Sequence, residues 1–108
     1  MPLHWVSGDA LSQIVDVYEL QFVWAVLSGF KPGVALDLTS LKVEPYADGN
    51  PNFWTKYPRI QHPLAEIEIV CWDSGATLLL CKDQAIGESF RDYFPEAVDL
   101  VVSNRSRR

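Results

Sequence analysis

The chain has 108 residues, nine basic and fourteen acidic side chains, two cysteines, and hydrophobic residues at 48% of positions. That length suits one domain, residues 1–108, with a single core that needs no disulfide or metal staple. The acidic balance opposes binding to nucleic acid, whose affinity rests on Lys and Arg contacts to phosphate. The longest strongly apolar runs, such as Phe22 to Leu27, are far too short to span a bilayer. No nucleic acid or membrane partner is therefore expected. The N-terminus lacks the basic segment and apolar core of a signal peptide, which makes a cytoplasmic site the default expectation.

In chain order, Gly8-Asp9 can begin a short helix with Leu11, Ile14, Val15 and Tyr18 on one face. From Tyr18 to Leu27 the aromatic and β-branched residues alternate, which favours a strand over continuation of the helix to Ser28. Residues 28–33 read as a connection, and Val34 to Glu44 can supply another strand. Tyr46 to Pro63 reads as a long loop containing Pro51, Pro58 and Pro63.

The best-specified stretch follows. Ala65, Ile67, Ile69 and Cys71 alternate with Glu66, Glu68, Val70 and Trp72, the two-residue period of a strand. Asp73-Ser74-Gly75 is a turn signal, with glycine expected at the positive φ. A second strand runs from Ala76 to Lys82. A three-residue turn pairs Trp72 with Ala76, Val70 with Leu78, Glu68 with Leu80 and Glu66 with Lys82. Opposite charges facing across a ladder contribute roughly 0.2–1 kcal/mol, which favours this register over the two-residue alternative. In it Ala65, Ile67, Ile69, Cys71, Thr77, Leu79 and Cys81 share one face, expected to be the core face. Asp83 can then cap a helix from about Gln84. Ile86, Phe90, Tyr93 and Phe94 form an apolar stripe to lie on the sheet, and Pro95 ends the helix. The predicted fold class is α+β: an antiparallel sheet with a hairpin at about 65–82, and helices packed on one face.

Catalytic and metal motifs do not emerge. Asp48-Gly49-Asn50-Pro51-Asn52 imitates the opening of a calcium loop, but Phe53 stands where glycine is needed and Arg59 where the bidentate glutamate belongs. A solvated turn cluster is the better reading. Cys71 and Cys81 lie several residues apart along the same sheet face, too far for a bridge. Both are expected to be reduced core residues. With only His4 and His62 as imidazoles, there is no zinc spacing and no placed Cys–His pair. No catalytic residue, metal or cofactor is expected.

Charge is the remaining signal. Three of the nine basic residues, Arg105, Arg107 and Arg108, stand in the last four positions and read as a basic solvated tail, 105–108. The rest of the chain then carries six basic residues against fourteen acidic ones. Such a field steers basic partners toward the protein.

Tyr46-Ala47-Asp48-Gly49-Asn50-Pro51, Ile69-Val70-Cys71-Trp72-Asp73-Ser74 and Phe94-Pro95-Glu96-Ala97, in a small acidic α+β chain, resemble bacterial immunity proteins of polymorphic-toxin and contact-dependent-inhibition systems. The resemblance is one of size, composition and phrasing over about the last two-thirds of the chain. It implies a cytoplasmic antidote without catalysis that binds one cognate toxin domain. No family residue transfers to a position here. On charge grounds the partner is expected to be a basic toxin, of nuclease type. Candidate contacts are the carboxylates Asp48, Glu66, Glu68 and Asp73, expected to be exposed, with Trp54 and Tyr57 as aromatic anchors. Two other classes stay open. One is a small enzyme or ligand-binding domain with an aromatic pocket of Trp54, Tyr57, His62 and Trp72; the other is a homo-oligomeric subunit. The oligomeric state is left open.

Overall fold

A computed structural model describes residues 7–18, 23–33 and 45–105. It contains helix α1 (Gly8–Tyr18), strand β1 (Ala25–Gly29), a 3₁₀ turn (Pro51–Trp54), strands β2 (Ile67–Trp72) and β3 (Ala76–Cys81), and helices α2 (Gln84–Tyr93) and α3 (Leu100–Arg105). The strands form an antiparallel sheet in the order β1-β2-β3. The class is α+β, as the residue pattern predicts.

α1 starts where Ser7 accepts the Ala10 N–H through its hydroxyl at 3.1 Å, a side-chain cap on an otherwise orphaned donor. The helix ends at Tyr18 and β1 begins at Ala25, so helix followed by strand is correct and a continuous helix to Ser28 is not. The strand itself sits later than its alternation suggests. Ser28 and Gly29, expected in a connection, belong to β1 and pair with Glu68 and Ile67. The strand predicted over 34–44 lies outside the described residues.

The hairpin has the predicted register. Trp72 faces Ala76, Val70 faces Leu78 and Glu68 faces Leu80, with Lys82 N–H donating to Glu66 O at 3.0 Å just beyond. Glu66 also meets the Lys82 ammonium at 3.7 Å, the opposite-charge contact that selected this register. The turn differs in one respect. Positive φ falls on Asp73 (49°) and Ser74 (54°), and Gly75 N–H donates to Trp72 O at 3.0 Å. Two successive left-handed residues match the strong right-handed twist of a hairpin, and aspartate tolerates that region better than most side chains. Ser74 N–H also donates to Val23 O at 3.1 Å, which ties the turn to the entry of β1.

The core lies on the sheet face opposite to the predicted one. Glu68, Val70 and Leu80 are buried; of the predicted core face Ala65, just ahead of β2, is buried too, but Ile67, Ile69, Cys71, Leu79 and Cys81 are half-buried and Thr77 is exposed. Val70 and Leu80 cluster with Ala47 and Phe53, and Trp24, Val26, Trp54, Ile60, Trp72 and Leu78 pack around them. The long loop read over Tyr46 to Pro63 thus sends Ala47, Phe53, Trp54 and Ile60 into a second layer of the core. Trp72 anchors it, meeting Trp24, Phe53 and Trp54 edge-on at centroid distances of 4.9, 5.9 and 5.0 Å. The face predicted as core is instead the one nearer α2, which packs against β3. Gly87 comes close enough that an added Cβ would sit 3.4 Å from Cys81 Sγ. With both faces covered, alternation alone cannot say which is deeper.

Asp83 caps α2 as expected, its Oδ1 accepting the Ala85 N–H at 2.9 Å. Phe94 N–H closes the last turn on Phe90 O at 2.8 Å before Pro95. The apolar stripe is only partly used. Ile86 and Phe90 are half-buried, but Tyr93 and Phe94 stand exposed. Arg105, expected in a solvated tail, closes α3; residues 106–108 lie outside the described residues.

One glycine is required by close approach. A Cβ on Gly29 would collide with Cγ2 of Ile67, its partner across the ladder. Overpacking of this kind costs about 1–3 kcal/mol, so Gly29→Ala should lower the melting temperature. Combined with Ile67→Ala, it should lose less than the two single variants summed, because the new methyl fills the vacated space. Strict additivity in chemical denaturation would refute the steric account.

Candidate functional site

The six sequence-nominated contact residues do not form one surface. Asp48 is exposed in the turn where Gly49 adopts a φ of +80°. Tyr57 is 62% exposed, with the Lys56 ammonium 5.6 Å from its ring centroid. Asp73 is exposed at the hairpin tip. Glu66 lies at the other end of the hairpin, roughly 20 Å away at about 3.3 Å per strand residue. It is half-buried and already shared between Lys31 at 3.5 Å and Lys82 at 3.7 Å. Trp54 is half-buried, edge-on to Trp72, and so serves the core rather than the surface.

Glu68 corrects the expectation outright. The strand alternation predicts a solvent-facing side chain here, yet the Glu68 side chain is fully buried. Its Oε2 accepts the backbone N–H of Gln61 at 3.0 Å, and its Oε1 receives a longer contact from Gln61 Nε2 at 3.5 Å. Gln61 in turn pairs with the main chain of Tyr46, accepting its N–H and donating to its carbonyl, both at 3.1 Å. Asn50 completes the network, donating to Gln61 Oε1 at 3.0 Å and to Tyr46 O at 2.9 Å. Its own Oδ1 accepts the Asn52 N–H at 2.9 Å and caps the 3₁₀ turn, with Pro51 at the first position. The string that imitates a calcium loop is thus the solvated turn expected, exposed at Asp48, Gly49, Pro51 and Asn52, with Asn50 alone buried as the cap. Among the described residues no group of three His, Cys, Asp or Glu side chains could hold a metal ion.

Burial pushes the Glu68 carboxyl above its ordinary value, against hydrogen bonds from Gln61 and the His62 backbone that favour the charged form. Burial likewise raises the Cys71 thiol, so its nucleophilic thiolate is disfavoured. Both cysteines are free, as expected, but half-buried rather than fully enclosed.

The proposed aromatic pocket does not assemble. Trp54 and Trp72 pack in the core, Tyr57 points outward, and buried His62 meets Phe30 edge-on at 4.9 Å. The Nδ1 of His62 accepts the Leu64 N–H at 3.1 Å, a structural use of the ring. An open hollow of about 500 Å³ is bordered by Lys56, Tyr57, Asn104 and Arg105. Asn104 Nδ2 donates to Phe53 O and Thr55 O, both at 2.8 Å, and thereby clamps α3 to the core loop.

A set of surface residues escaped the sequence reading. Tyr93 (80% exposed), Phe94 (50%), Val98 (76%) and Val102 (60%) crowd into residues 93–102, interleaved with exposed Asp92, Glu96 and Asp99. The signal was present in Asp92-Tyr93-Phe94-Pro95-Glu96-Ala97-Val98-Asp99, where acidic and bulky apolar residues share a segment that straddles a helix stop.

Because the folded state holds the Glu68 proton more tightly than the unfolded chain, stability should fall as pH rises from the ordinary glutamate value through the raised one. Glu68→Gln keeps an acceptor for the Gln61 N–H and removes the buried charge. Its melting temperature should match the parent near pH 4 and exceed it increasingly toward pH 7. A difference that does not change with pH would show that Glu68 titrates alike in both states.

The chain matches no family model, no curated protein and no solved structure.

Proposed function

We propose that this protein acts by binding, as an acidic antidote that neutralises a basic toxin domain of nuclease type. One observation carries the proposal. Asp9, Asp16, Asp48, Asp73, Asp83, Glu88, Asp92, Glu96 and Asp99 are all exposed, and none has an ion-pair partner among the described residues. Uncompensated carboxylates spread over a fold give a negative potential that draws in positive surfaces and accelerates encounter. Nucleases hold phosphate with lysine and arginine, so the same groups that bind substrate would bind this surface. Exposed Tyr57 and the apolar residues of 93–102 offer anchors of the type that dominate interface energetics. Inhibition then needs no chemistry: occupation of the phosphate-binding groups excludes the substrate.

Reversal of Glu66 would also break its two lysine contacts, and reversal of Glu68 would bury an unpaired cation. Asp48 and Asp73 are the cleaner probes, being exposed and unpaired. With a basic nuclease partner recovered by affinity capture on the full chain, Asp48→Lys with Asp73→Lys should slow association about tenfold at low salt, and added salt should slow the parent toward the variant. Cells expressing the toxin should lose protection in parallel. An acidic native partner, or an on-rate indifferent to both salt and reversal, would remove the proposal.

A further inference from the structure

The corner between α2 and α3 differs from the rest of the described surface. Half of the large hydrophobic residues exposed among the described ones fall within residues 93–102. Phe94 meets Phe90 at 4.9 Å and Tyr93 at 4.8 Å between ring centroids, so three aromatic rings form one cluster whose outer members are open to solvent. The backbone holding them is ordered by its own bonds. Phe94 N–H donates to Phe90 O at 2.8 Å, Ala97 N–H to Phe94 O at 2.9 Å, and Val102 N–H to Asp99 Oδ1 at 3.2 Å. Rigid rings lose little conformational freedom on binding, which suits them as anchors. Glu88, Asp92, Glu96 and Asp99 surround this segment in sequence, exposed and without ion pairs among the described residues. Arg91 and Arg105 are its nearest cations in sequence.

Resting on the antidote reading, we infer that this corner is the docking surface for the partner, and that it takes an apolar helix face edged with lysine and arginine. Charge decides among the occupants. A second copy would set the same patch against itself across a two-fold axis and oppose Asp92, Glu96 and Asp99 to their own kind. An anionic membrane surface would meet the same repulsion. A basic amphipathic segment buries the rings and Val98 while its cations face the carboxylates. The site thus falls on residues that the sequence pattern does not nominate as contacts.

The test uses the full chain, isotope-labelled for amide NMR, and a synthetic amphipathic helical peptide of leucine and lysine. Shifts should concentrate in residues 88–102, and a leucine–glutamate peptide of the same pattern should produce none. Tyr93→Ser with Val98→Ser should weaken binding about tenfold or more, as should Asp92→Lys with Glu96→Lys, with melting temperatures near the parent's because all four sites are exposed. Shifts centred elsewhere, equal binding of both peptides, or no binding of the lysine peptide would overturn the docking surface. Self-association that disappears in the Tyr93→Ser, Val98→Ser variant would overturn it in favour of a second copy. If the lysine peptide binds at the corner but the partner captured on the full chain is not a toxin domain, the antidote reading fails while the surface stands. If the toxin binds the double variant undiminished, the surface fails while the antidote reading stands.

Discussion

A single buried carboxylate joins the two layers of this fold. Glu68 sits in the central strand, with no solvent access, where an isolated charge would be strongly unfavourable. It is tolerated because the backbone N–H of Gln61 points at it, and Gln61 can do so only if its loop lies over the sheet. The requirement propagates. Gln61 grips both main-chain polar groups of Tyr46, Asn50 bonds to both Gln61 and Tyr46, and Asn50 caps the turn that delivers Phe53 into the core. A segment with little regular structure thereby satisfies its backbone and closes a hydrophobic layer of Phe53, Ala47, Val70 and Leu80.

The other side of the sheet is organised differently. α2 packs against β3 beside Gly87, where an added Cβ would just touch Cys81 Sγ at 3.4 Å. α3 is held instead to the core loop, through Asn104, whose amide donates to two of that loop's carbonyls. These attachments fix α2 and α3 at the ends that touch the body of the protein. The junction between them is left outward, carrying aromatic and aliphatic side chains that the core does not use. Exposed hydrophobic residues clustered among carboxylates are a feature of recognition surfaces more than of plain solubility.

Legibility differed sharply between neighbouring residues. The hairpin register was readable because it depends on local pairings, above all Glu66 with Lys82, and on the length of one turn. The Asp83 cap and the Pro95 stop were readable for the same reason: each acts within a turn of helix. Asp48 and Asp73 could be placed at the surface from turn chemistry alone. Glu68 could not, since its burial is decided by a backbone donor seven residues away whose position no local rule encodes. Tyr93 and Phe94 failed in the opposite sense. Spacings of three and four define a stripe, but not how far along the helix the sheet extends to cover it.

By itself, then, the sequence determined the elements governed by short-range physics: the period of the strands, the turn, the cap, the helix stop and the acidic charge. Tertiary structure alone decided which sheet face became the core, that the 45–62 segment would be its second layer, and which apolar residues remained outside. The reason is physical. Periodicity states that a face is apolar, whereas burial depends on what arrives to cover it, and here a loop with its own polar network covered the face marked by a glutamate.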